Sequence, residues 1–263
     1  MGTWNLNPLV WFDRARSGSE ACALVGMLML LALVPVLGAM FIDHRQLLGI
    51  NVWIKPAKFL ISSAIYLWTI GWMLNYVESP IVQRSSLGTL TSVILLIENI
   101  AITGQALRGE RSHFNITSAF NGGVFTVMGV LIALNTLLLM WLLWWFLVKP
   151  APVPAGALWG FRLGVLLAVL ASLEGGYMVA SMAHTVGAKD GGPGVPILNW
   201  SVEAGDLRVS HFIGLHGLQI LPLAGFWLSE IGASAGIFIV ALFQYGAFVL
   251  TFLQAVAKKP LFF

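Results

Sequence analysis

Seven apolar runs divide this chain, at residues 21–42, 57–77, 87–107, 118–148, 157–183, 209–229 and 233–257. A helix that crosses a bilayer needs about 20 apolar residues, and each run reaches that length. Hydrocarbon offers the backbone no hydrogen-bond partner, so only helices and closed barrels span it. The runs therefore predict an all-α fold, a polytopic transmembrane bundle of about seven spanning helices. A soluble fold lacks the surface it needs: only 10% of the 263 residues are charged, against about 25% in soluble domains. Mean hydropathy is +0.87.

The remaining segments set the expected organisation. Residues 1–20 read as an interfacial segment, with Trp4, Trp11 and Phe12 beside Asp13, Arg14 and Arg16. Residues 21–257 read as one seven-helix membrane domain without a convincing internal repeat, and 258–263 as a short tail. The first run ends at Asp43-His44-Arg45 with no small-residue cleavage pattern, so it reads as a span and not as a signal peptide. Residues 184–208 form a long connection whose glycines and prolines forbid a continuous helix, and Ile197, Leu198 and Trp200 predict that it folds back onto the helices.

Charge gives orientation. Arg14, Arg16, Arg84 and Lys149 fall on one face. Arg45, Lys55, Lys58, Arg108, Arg111, Lys189, Arg208, Lys258 and Lys259 fall on the other, which is expected to be cytoplasmic, with the N-terminus outside and the C-terminus inside. The net charge of +3 is accounted for by these loop residues, so no nucleic-acid partner is expected. The expected partners are the lipid bilayer, a small-molecule or lipid-soluble substrate, and a second copy or a subunit of a membrane complex. The single cysteine, Cys22, excludes an internal disulfide and a thiolate metal cluster.

Polar chemistry gathers at the basic face. His44, His113, His184, His211 and His216 all fall in or beside its connections. His211 and His216 are five residues apart, about 140° around a helix and about 7.5 Å along it, so they do not readily chelate one ion as an i, i+4 pair does; they serve two sites or line two walls of one cavity. Glu98 and Glu174 sit near the middle of their spans, and Gln105 shares a helix face with Glu98. Ionisable groups at that depth are functional candidates. They equally serve as neutral, hydrogen-bonded ties between helices.

Three loop segments add anion-binding chemistry. Lys58 follows Lys55 at the start of the second span, and Arg108, Arg111 and Asn115 close the third. Guanidinium forks match phosphate and carboxylate, although plain positive-inside anchoring explains the same residues. Asp190-Gly191-Gly192-Pro193-Gly194 is a turn able to present backbone amides, and Asp206 before Arg208 reads as a helix cap.

The runs Trp53-x-Lys55-Pro56-x-Lys58-Phe59, Gln105-x-x-Arg108-Gly109, Ser112-His113-Phe114-Asn115, Asp190 to Gly194 and Gly205-Asp206-Leu207-Arg208-x-x-His211-Phe212-x-x-x-His216 resemble a family of bacterial polytopic inner-membrane proteins with no assigned activity. The resemblance covers residues 43–220 and implies the bacterial inner membrane. The seven-span layout is also loosely similar to the membrane hydrolases that include alkaline ceramidases and progestin/adiponectin-type receptors. Their His-x-x-x-His spacing is absent here.

The leading expectation is a histidine-lined site at the cytoplasmic face holding haem or a transition metal (Zn, Cu or Fe), with redox or metal-assisted chemistry. His113, His184 and His211 are the candidate metal ligands and, with His216, the candidate cofactor-binding residues. Glu98, Glu174 and His216 are the candidate catalytic groups. Lys58, Arg108, Arg111, Asn115, Asp190 and Arg208 are the candidate substrate-binding groups. Two alternatives stand beside it: a proton-coupled transporter or channel using Glu98, Glu174 and His216, and a non-catalytic subunit of a membrane complex.

Overall fold

The computed structural model describes residues 7–261. Among these, seven helices are long and apolar enough to cross a membrane: Glu20–Ile42, Ile54–Leu74, Ile81–Leu107, Ala119–Val148, Ala155–Ser181, Leu207–Glu230 and Ser234–Val256. The protein is an all-α, multi-pass membrane protein. Its chain divides into two compact units, with the boundary between Leu138 and Leu139.

The first unit opens with α1 (Pro8–Gly18) and α2 (Glu20–Ile42). Asn7 caps α1 by accepting from the Leu9 N–H, and Ser19 caps α2 by accepting from the Cys22 N–H. Trp11 and Phe12 of α1 turn toward Trp72 and Trp68 of α3 (Ile54–Leu74). Trp4 lies outside the described residues. The close approach of α1 to α3 depends on small residues: a Cβ on Gly18 would stand 1.9 Å from the Gly71 carbonyl oxygen. A two-strand hairpin, β1 (Gln46–Leu47) and β2 (Ile50–Asn51), joins α2 to α3. Its turn puts both Leu48 and Gly49 at positive φ, the backbone that a tight two-residue hairpin demands.

α4 (Ile81–Leu107) begins six residues before the apolar run that predicted it. Its buried residues recur at helical spacing, from Leu87 and Thr91 through Leu95, Glu98 and Ile102 to Gln105. Asn99 donates to the Ser63 hydroxyl on α3 at 2.8 Å. α5 (Ala119–Val148) runs through the unit boundary. In the first unit its Asn135 donates to the Tyr66 hydroxyl at 2.9 Å. In the second, Phe146 stacks on Phe161 at 4.8 Å.

The second unit is built on α6 (Ala155–Ser181). Gly156, Gly160 and Gly164 repeat every four residues along one face of α6. They meet Gly225, Leu221 and Gly217 of the sixth span at backbone contact, the small-residue packing by which helices associate in lipid. The sixth span was expected to be one helix over 209–229. It runs as one span, Leu207–Glu230, in two stretches, α7 (Leu207–Leu215) and α8 (Gly217–Glu230). His216 between them keeps helical φ and ψ, donates its N–H to the Phe212 carbonyl and accepts from the Ile220 N–H. Gly217 and Pro222 account for the irregularity, because Pro222 has no N–H for the preceding turn and glycine disfavours a helix interior. A short 3₁₀ turn (Ser234–Gly236) leads into α9 (Ile237–Val256). Leu167, Ala171, Leu221, Ile237 and Phe248 form the apolar centre of this unit.

The connection between α6 and α7 is ordered by pairing. β3 (Thr185–Val186) and β4 (Gly205–Asp206) are antiparallel, and a further bridge joins Gly194 to Ser201. Trp200 packs edge-on against Phe212, as folding back requires, while Ile197 stays exposed. A Cβ on Gly160 would lie 2.4 Å from the Leu221 carbonyl oxygen. Gly160→Val is therefore expected to destabilise the protein by about 1–3 kcal/mol through overpacking. Gly129→Val, at an open position, should have little effect. Thermal unfolding in mild detergent compares the two.

Candidate functional site

In the first unit, two motifs sixty residues apart in sequence come together. Lys55 Nζ lies 3.2 Å from His113 Nδ1, and the Ser112 hydroxyl lies 3.0 Å from the same nitrogen. An ammonium can only donate. His113 Nδ1 therefore accepts from Lys55, and the ring carries its proton on Nε2. Phe59 and Phe125 flank the imidazole at 5.9 and 6.3 Å. Lys55 is also the charge that bears on Glu98, which is buried on α4 with Oε1 lacking any hydrogen bond. Lys55, which sequence reasoning treated as an anchor or anion ligand, thus bridges two candidate groups.

The rest of the motifs in this unit hold the loop. Trp53 Nε1 donates to Asp43 at 2.9 Å, and Arg45 donates to both Asp43 oxygens. These bonds, led by Arg45, hold the Asp43 carboxyl well below the usual carboxylate range. Asn115 donates to Glu110 and to the Arg111 carbonyl and accepts from Thr117. Asn121 donates to Thr117, and accepts from Gln105 and Arg108. Arg108 donates to Gln105 as well and lies 4.5 Å over the Phe120 ring. Lys58 is half-buried on α3, and His44 is exposed.

In the second unit the turn Asp190–Gly194 closes onto His184. Asp190 accepts from the His184 ring at 2.9 Å and from the His184 and Thr185 backbone N–H groups. Burial opposes ionisation of Asp190, but these donors outweigh it and hold the carboxyl well below its ordinary range. Asp206 caps α7, receives Arg208 at 2.6 Å and accepts from the Ser201 N–H. Arg208 also donates to the Asn199 carbonyl. Asp190 and Arg208, read from sequence as substrate groups, are thus engaged in fastening this loop.

Beneath the loop, α7 meets α6 through polar contacts. Ser210 donates to Glu174 Oε1, and Glu174 Oε2 is buried with no hydrogen bond. His211 Nδ1 donates to the Ala171 carbonyl at 2.8 Å, and its ring stands where a side chain on Gly175 would begin. His184 bears electrostatically on His211. His216 donates to the carbonyl of Phe212, one turn back, and lies against the Phe212 ring at 4.0 Å. Sequence reasoning missed Ser210, whose signal was its place beside His211 at the head of the span.

Glu98 and His113 thus belong to the first unit, and Glu174, His184, His211 and His216 to the second. Among the described residues, no three His, Cys, Asp or Glu side chains are placed to hold one metal ion together. No protein-family model, curated protein or solved structure matches the chain.

Asp190 supplies a pH prediction. Its folded value lies below the unfolded one, about 3.9. Its stabilising contribution is therefore complete above that value and is lost as pH falls through the folded value. Asp190→Asn is expected to cost about 2 kcal/mol at pH 7, the scale of hydrogen bonds to a charged group. The difference from the native protein should shrink in strongly acid solution. Thermal unfolding from pH 7 down to pH 2 follows the loss, which begins below about pH 4.

Proposed function

We propose that this protein is an inner-membrane transporter or channel that moves protons or small cations. The observation that carries the reading is the pair of membrane-buried carboxylates, Glu98 and Glu174, one in each unit; among the described residues, one oxygen of each has no hydrogen-bond donor. A charge at the centre of a bilayer costs about 2.5–3.5 kcal/mol on insertion scales. A span retains such a group when it exchanges a proton or binds a cation, and an oxygen without a donor is open to both. Each carboxylate has a polar neighbour suited to relay: Lys55 with His113 for Glu98, Ser210 for Glu174. The basic loops support a cytoplasmic placement for the face that carries them.

The test is flux into proteoliposomes driven by a pH or cation gradient. Glu98→Gln and Glu174→Gln are each expected to lower flux about tenfold or more while leaving the protein folded. An intact protein that carries neither protons nor cations, or a flux indifferent to both substitutions, would reject the reading.

A second reading keeps haem or a transition metal. His184 and His211 each have Nδ1 tied to an oxygen, from Asp190 and from the Ala171 carbonyl. That is how ligating imidazoles are oriented, with Nε2 turned to the metal. Its test is an absorption spectrum, oxidised and reduced, with elemental analysis on the same sample. Stoichiometric metal or a Soret band that His211→Ala removes would favour it. A colourless, metal-free sample would count against it.

A further inference from the structure

An open apolar groove of about 330 Å³ runs between α4 and α5 in the first unit. Ile97 and Ala101 line one side; Phe120, Gly123, Val127 and Met128 line the other. Both helices are membrane spans, so the groove is presented to hydrocarbon. Gly123 leaves it open: the residue is exposed, and no heavy atom lies within 4 Å of where its Cβ would be. Its end nearest the loop carries an arginine. Arg108 caps α4, is exposed, and lies over the ring of Phe120, itself a wall of the groove.

We propose that this groove holds an acyl chain of an anionic phospholipid, with the lipid phosphate on Arg108. Arg108 suits the role because its partners among the described residues are the neutral side-chain amides of Gln105 and Asn121. They fix the guanidinium in place without neutralising it. A fork held this way is aimed at a phosphate, and basic sites between spans on the cytoplasmic side are where anionic headgroups are held. From residue 119 to 128 the groove follows about 13 Å of helix axis. An elongated apolar strip that ends at a fixed guanidinium matches a chain joined to a phosphate.

The experiment is native mass spectrometry of the full-length protein from mild detergent. Phosphatidylglycerol and phosphatidylcholine of matched chains are titrated in turn. The native protein is expected to retain phosphatidylglycerol about five-fold more tightly, the worth of one surface arginine. Arg108→Gln should bring it down to the phosphatidylcholine level. Gly123→Leu, which fills the groove without meeting any neighbour, should weaken both lipids about five-fold or more. Equal retention of the two lipids by the native protein would overturn the proposal. So would binding unchanged by Gly123→Leu, or a dimer that this substitution dissolves, which would make the occupant a second copy.

Discussion

Hydrocarbon supplies no donor or acceptor, and each polar group that enters it must bring its own partner. That constraint orders the molecule. Backbone needs are met by the helices. Side-chain needs are met by short, mostly local bonds: Ser92 to Gly88, Thr69 to Ile65, Ser172 to Ala168, each to a carbonyl one turn back. Where a group is too large for that solution, the neighbouring helix provides: Asn99 finds Ser63, Asn135 finds Tyr66 and Gln244 finds the Ile213 carbonyl. Among the described residues, Asn99, Asn135 and Gln244 each still leave their amide oxygen without a partner, as Glu98 and Glu174 leave one carboxyl oxygen. The two carboxyls differ from the amides in kind, because only they can gain or lose a proton.

The two units spend their loop residues in a similar manner. In each, an aspartate gathers donors that fix a loop: Asp43, at the end of α2, takes Arg45 and Trp53, and Asp190, within the connection after α6, takes His184 and Thr185. In each, the first helix after that loop carries a basic residue toward the buried carboxylate's neighbourhood, Lys55 on α3 and His211 on α7. The motifs therefore serve two purposes. Some residues hold the frame, and a smaller number stand inside it.

The spans were legible because hydropathy and length are properties of contiguous residues. The sequence also marked the cap at Asp206 and the folding back of Trp200. The irregularity at His216 was less legible: Pro222 was in plain view, but its distance of six residues obscured where it would fall. Gly156, Gly160 and Gly164 carried a readable spacing of four, lost among the other glycines of the chain. The contacts of the candidate site were not legible at all. Lys55 and His113 are 58 residues apart, and no periodicity within either segment encodes their meeting. Histidines that share one face in sequence resolve into separate roles, because each is decided by the nearest oxygen or ammonium in three dimensions.

The two halves of the sixth span are fastened to α6 by unlike means. α8 is held by backbones in contact across glycines, a grip of shape alone. α7 adds polar bonds to such packing: Gly214 lies close against Ala171, and Ser210 donates to Glu174 and His211 to a carbonyl. The α7 contact therefore answers to the loss of a single hydroxyl or imidazole, and the α8 contact to added bulk.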